Sequence, residues 1–193
     1  MHTSSVSLLC FSMLVSQALS IPLFTPRQPG PCFIIGDTAL PAETQEAADA
    51  LASSITCDTS RKTIGNVPDV STSTQSFSNV NFAASSSTPL QFALDSFKTS
   101  TPLSSSNLRN FQQQLDLYTA TEAGIRSEGG NLSIKIPKFF LAMQVARIKT
   151  AQGIDITDPG QTVEHLVGKV LSNAKGEDHA LLDQVTALGT QLD

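Results

Sequence analysis

The segment Lys138–Ala151, KFFLAMQVARIKTA, constrains the fold more than any other part of this chain. Wound as a helix at about 100° per residue, it puts Phe139, Phe140, Met143 and Ala146 on one apolar face. Leu141, Val145 and Ile148 form a second face on the opposite side. A helix apolar on both sides has to be covered from two directions, so this one is expected at the centre of a single hydrophobic core.

The rest of the chain supplies the covering. Ser104–Arg126 is the longest periodic stretch, and Leu108, Phe111, Leu115, Tyr118 and Ile125 fall on one side of it. Gly129-Gly130 stops it. Asn131 to Ile136 then alternates, with Leu132, Ile134 and Ile136 inward and Asn131, Ser133 and Lys135 outward, which predicts a strand ended by Pro137. Upstream, Cys32–Ile35 reads as a short buried strand, and Pro41–Ile55 as a helix burying Ala47, Ala48, Leu51 and Ile55. Val70–Thr88 is more than half Ser and Thr and offers only Phe77, Val80 and Phe82 for burial, so it reads as a loop with one irregular edge strand. Thr88-Pro-Leu-Gln91 is a helix start, with Thr at the cap, Pro at the first helical position and Gln where a capping box places it. Leu90, Leu94 and Phe97 are the buried side of that helix. After the turn-rich stretch 153–160, Val163, Leu166, Val167, Val170 and Leu171 mark another helix, closed by Gly176. Leu181, Leu182, Val185 and Leu188 mark the last. The expected fold class is α+β, mainly helical: one domain of about five or six helices around the central one, with a few short strands.

The first residues point to an oxidising destination. An apolar run from Val6 to Val15 precedes Ala18-Leu19-Ser20, so residues 1–20 read as a signal peptide and the mature chain as starting at Ile21. Four prolines between Ile21 and Pro31 make 21–31 an exposed leader, and 32–193 is the expected globular domain. No later segment approaches the roughly 20 apolar residues of a membrane-spanning helix. Net charge is −5, and the basic residues are scattered. That balance argues against nucleic acid and anionic membranes as partners. Cys10 leaves with the signal peptide, so Cys32 and Cys57 most simply pair with each other; closing that loop contributes roughly 3.5 kcal/mol in the chain-entropy account. The other reading is a reactive or metal-binding thiol pair, for which no third ligand lies nearby.

Few residues carry a chemical signal. Glu122 projects into the apolar arc of its helix, where an unpartnered carboxylate would be costly. Arg126 is one turn on, and Arg147 lies on the central helix beside Phe140 and Met143. Glu122, Arg126, Arg147 and Tyr118 are therefore either a structural ion-pair group or the lining of a small-ligand or catalytic pocket. His165 and His179 point away from the apolar sides of their helices, and Asp155 and Asp158 lack calcium-loop spacing. No hydrolase, phosphate-loop or dinucleotide motif occurs, and neither a metal nor an organic cofactor is expected. Asn131-Leu-Ser133 is an N-glycosylation sequon.

Several blocks together carry a resemblance: Gly36-Asp-Thr-Ala-Leu-Pro41, Thr63-Ile-Gly-Asn-Val-Pro-Asp-Val70, Thr121-Glu-Ala-Gly-Ile-Arg126, Ile136-Pro-Lys-Phe-Phe-Leu141, Arg147-Ile-Lys-Thr-Ala-Gln-Gly153 and Gly160-Gln-Thr-Val-Glu-His-Leu166. Over roughly 32–175 the chain resembles a family of small secreted proteins of filamentous fungi. That resemblance implies an extracellular interaction protein or effector, acting on a host protein or a cell-wall component, and it transfers no catalytic residue.

Overall fold

The computed structural model describes residues 30–193, and the expected signal peptide (1–20) and most of the expected Pro-rich leader (21–31) lie outside them. The domain is α+β and mainly helical. Six helices are described, α1 (Ala42–Leu51), α2 (Pro89–Ser96), α3 (Leu108–Ser127), α4 (Lys135–Ala151), α5 (Val163–Asn173) and α6 (His179–Thr190). One antiparallel pair of strands accompanies them, β1 (Thr56–Lys62) and β2 (Pro68–Ser71).

The central helix is buried more completely than its two apolar faces require. Every residue of α4 from Phe140 to Ile148 is buried, including Gln144 and Arg147. α3, α5 and α2 pack around it, so it is covered from more than two directions. Of the residues on its two apolar faces only Phe139 is left partly open, and the ammonium groups of Lys135 and Lys138 lie over its ring at 5.9 and 4.6 Å.

The link between α3 and α4 is set by its backbone donors. Gly129, at φ +70°, lets α3 end with Gly130 N–H bonded to Ile125 O and Gly129 N–H to Arg126 O, both at 2.9 Å. The strand expected over Asn131–Ile136 does not form. The Asn131 side chain accepts from Ser133 N, while Lys135 N bonds to Leu132 O and Ile136 N to Ser133 O, so these donors are consumed in successive tight turns. α4 begins two residues before Pro137, which occupies its first turn, where a missing N–H leaves no intrahelical bond unmade.

The strand expected at Cys32–Ile35 is also absent. The chain turns there, with Ile34 N bonded to Pro31 O. The next two donors, Ile35 N and Gly36 N, go to the Ser127 hydroxyl at 3.2 and 3.1 Å, and Thr38 N goes to Ser127 O. Docking needs Gly124, because a Cβ there would lie 2.7 Å from Phe33 O and 2.9 Å from a Val67 methyl. The Cys32–Cys57 disulfide then ties this turn to the start of β1, with Cα atoms 6.0 Å apart.

The hairpin gave no strand signal because β1 is a polar edge, exposed along nearly its whole length. Its partner β2 is the buried one, with Cys57 opposite Val70 and Asp58 opposite Asp69. The Ser/Thr-rich stretch after β2 runs through two short 3-10 turns, Phe77–Val80 and Phe82–Ala84, which exist to bury Phe77 and Phe82. In α2 the Thr88 hydroxyl accepts from Gln91 N as a cap should, but the Gln91 amide turns forward to Asp95, so the capping box is half formed. The second donor of that helix end, Leu90 N, is met from far along the chain by the Glu177 carboxylate.

Ser127 is wholly buried and also donates to Gly124 O at 2.7 Å, so one hydroxyl serves three partners. Ser127→Ala is therefore expected to lower unfolding free energy by about 1–3 kcal/mol, seen as a lower urea midpoint at unchanged slope; a midpoint equal to wild type would show that the turn is held without it.

Candidate functional site

The four residues singled out by sequence separate into three environments. Glu122, 3 % exposed, is held inside an ion triad. Arg126, one helical turn on, donates through Nε and Nη2 to Oε1, both at 2.8 Å. The other oxygen takes the Lys138 ammonium, delivered by the first turn of α4. Both carboxylate oxygens are engaged, so burial is compensated and the triad joins α3 to α4. Lys138, which the sequence reading left out of this group, takes the place expected for Arg147.

Tyr118 is fully buried in an aromatic cluster. Its ring meets Phe77 and Phe97 edge to face, with centroids 5.0 and 5.7 Å away, and stacks on Phe82 at 6.4 Å. Its hydroxyl donates to Val80 O at 2.5 Å, anchoring the Ser/Thr-rich stretch to α3. Burial pushes this phenol well above its ordinary range.

Arg147 is 3 % exposed and stands apart from Glu122. Nη1 donates to Gln144 Oε1 at 2.5 Å, and Nε and Nη2 donate to Gln191 O at 3.2 and 2.7 Å. Gln144 in turn donates to Phe97 O at 2.8 Å, which fixes its orientation and the guanidinium behind it. No carboxylate pairs with Arg147 among the described residues. The carbonyl it meets belongs to the residue capping the C-terminus of α6, where partial negative charge favours a cation. Desolvation nevertheless holds its pKa below the ordinary guanidinium value.

This side chain borders a cleft of about 630 Å3 between the end of α2, α4 and α6. Leu94, Leu103, Phe140 and Leu188 contribute apolar wall, and Lys98, Gln184 and Asp193 polar wall. Glu122, Arg126 and Tyr118 do not line it. The pair Gln144 and Arg147 was visible in the sequence as two polar residues one turn apart inside an otherwise apolar helix. Lys98 and Gln191 carried no such signal, because their roles come from where the ends of α2 and α6 land.

The remaining sequence candidates are dispersed. Cys32 and Cys57 are joined. Asn131 is exposed in its turn, not on a strand face. His165 and His179 are exposed on α5 and α6, and no group of three or more His, Cys, Asp or Glu side chains is placed to hold a metal among the described residues. No helix among those residues is long and apolar enough to cross a membrane.

These features define a disulfide-closed, mainly helical α+β domain with a buried carboxylate held in an ion triad and a mixed polar and apolar cleft beside Arg147. The chain belongs to a family described as a domain of unknown function (DUF7143), which matches residues 34–193. No curated protein and no solved structure matches it.

Glu122→Ala strands two cations against the α3–α4 contact and is expected to destabilise by about 3 kcal/mol, less than a fully enclosed pair because Arg126 and Lys138 keep 21 % and 19 % side-chain exposure. Glu122→Gln, which keeps shape and one acceptor, should cost clearly less; equal losses in thermal unfolding would mean that charge is irrelevant there. Tyr118 is the sole tyrosine, so phenolate absorbance reports it alone. Its raised folded-state pKa contributes stability that is complete below the unfolded value of about 10 and is lost as pH rises beyond it. Phenolate should therefore appear only together with loss of helical circular dichroism, and ionisation of a still-folded protein near pH ~10 would contradict the burial.

Proposed function

We propose that this is an exported protein that works by recognition and not by catalysis, acting outside the cell on a host protein or a cell-wall component. The observation that carries the reading is the Cys32–Cys57 disulfide, which closes the N-terminal turn onto the hairpin and persists best in an oxidising compartment. The signal-like residues 1–20 support the same destination. The use made of the ionisable groups supports recognition over chemistry. Glu122 spends both oxygens on Arg126 and Lys138, leaving no free acid or base in the core at that point.

The resemblance to small secreted proteins of filamentous fungi adds fungal origin and an effector role to this reading. The exposed Asn131 sequon adds a glycan on the turn before α4, where the side chain is open to solvent and its oxygen accepts only the local Ser133 N–H. A second reading, a small-ligand binder, is favoured by one observation, the cleft beside Arg147. It replaces the pocket around Glu122, Arg126 and Tyr118, whose polar atoms face the interior contacts described above.

Expressed with its own first residues in a secreting eukaryotic host, the protein should appear in the medium beginning at Ile21, without free thiol, and with a mass that drops on endoglycosidase treatment unless Asn131 is replaced. Retention of Met1 on the exported product, or two titratable thiols in it, would overturn the export reading. Immobilised product that repeatedly captures nothing above control from extracellular extracts would count against recognition of a macromolecule.

A further inference from the structure

We propose that the cleft between α2, α4 and α6 binds a small amphiphilic carboxylate, its headgroup on the Arg147 guanidinium and its apolar part along Leu94, Ala187 and Leu188. This deepens the small-ligand reading above and rests on it.

The argument begins with charge. Arg147 is almost wholly removed from water, yet its hydrogen bonds go only to neutral oxygens, on Gln144 and on Gln191. A buried cation of this kind is normally matched by a carboxylate, as Arg126 is. Three of the five N–H groups of the guanidinium are spoken for, which leaves one hydrogen on each Nη. With Nε–H already given to Gln191 O, a carboxylate or phosphate would meet these two hydrogens end-on, through Nη1 and Nη2.

The surroundings set the ligand class. Lys98, 71 % exposed at its side chain, adds a second cation at the cleft wall; its own partner, Asp95 at 3.6 Å, is itself mostly exposed and does not line the cleft. Asp193 is the one acidic side chain on the wall, and it pairs with neither cation. Leu94, Leu103, Ala187 and Leu188 give the cleft an apolar stretch beside its polar wall of Thr99, Ser100, Thr101 and Gln184, which suits a headgroup with a hydrocarbon attached better than a small hydrated anion alone. The volume, about 630 Å3, lies within the range of small-molecule sites. The guanidinium is also preorganised, since Gln144 is itself tied to Phe97 O, so little side-chain entropy remains to be lost on binding.

The simplest competing account is that Arg147 only caps the C-terminus of α6. That account predicts loss of stability on mutation but no dependence of binding on it. Decanoate and decanol, which differ only in the headgroup, separate the two by calorimetry on the exported full chain below the micellar concentration of the acid. Decanoate should bind saturably, with one site per chain, and decanol at least tenfold more weakly. Arg147→Gln should weaken decanoate roughly ten- to hundredfold, the range of one charge-assisted hydrogen bond. Should that variant fail to fold, Ala187→Phe tests the site without touching Arg147, because Ala187 is exposed and a ring there fills the cleft; it should abolish decanoate binding at unchanged thermal midpoint. No saturable decanoate binding to the folded wild type, equal affinity for acid and alcohol, or undiminished binding by either folded variant would each overturn the proposal. None of these outcomes bears on export, which is read from the mature N-terminus and the thiols.

Discussion

The removal of α4 from water on every side is the constraint on which the rest of the structure depends. Phe140, Leu141, Met143, Val145 and Ile148 cannot all be covered by one neighbour, so α3, α5 and α2 must each lie against the same rod. Burial that complete also carries Gln144 and Arg147 inside, and each must then find partners or be paid for in desolvation. Gln144 finds Phe97 O at the end of α2, and Arg147 finds Gln191 O at the end of α6. Two helix ends are thereby located by polar side chains of the central helix, and the cleft lies where those ends leave a gap.

A second set of contacts makes the N-terminal turn part of the same body. The turn has no ladder partner, so two of its donors, Ile35 N and Gly36 N, depend on one hydroxyl at the last residue of α3. Close approach is possible because Gly124 presents no Cβ to Phe33 O. The disulfide then links the turn to a hairpin whose outer strand is polar and whose inner strand carries Val70 into the core. Covalent bond, hydroxyl and glycine act at three points on a few residues of chain, which is why a turn with little regular structure of its own is well placed.

The environments of the half-buried Arg126 and the buried Arg147 differ in a way that bears on function. Arg126 shares a carboxylate with Lys138, and the group is complete within the chain. Arg147 is satisfied by neutral acceptors, beside open volume. The same residue type thus serves closure in one place and leaves an unmatched charge in the other, and only the second arrangement has anything left to offer a partner.

The sequence by itself determined the helices and the centre. Periodicity located α1, α3, α5 and α6 and the doubled apolar character of α4, because a face buried against a core must repeat with the helix turn whatever covers it. It also pointed to Cys32 and Cys57 as a pair, and these are joined. Tertiary structure decided the rest. Alternation at Asn131–Ile136 imitated a strand, but a strand needs a neighbour to receive its N–H groups, and the turn after Gly130 supplied closer acceptors. The polar edge of β1 had no pattern to read, since it is defined by pairing with β2 and not by burial. Glu122 chose Lys138 over Arg147 because the α3–α4 link brings the first turn of α4, and not its middle, alongside. Charge partners and clefts depend on distances between elements, which a one-dimensional pattern does not contain.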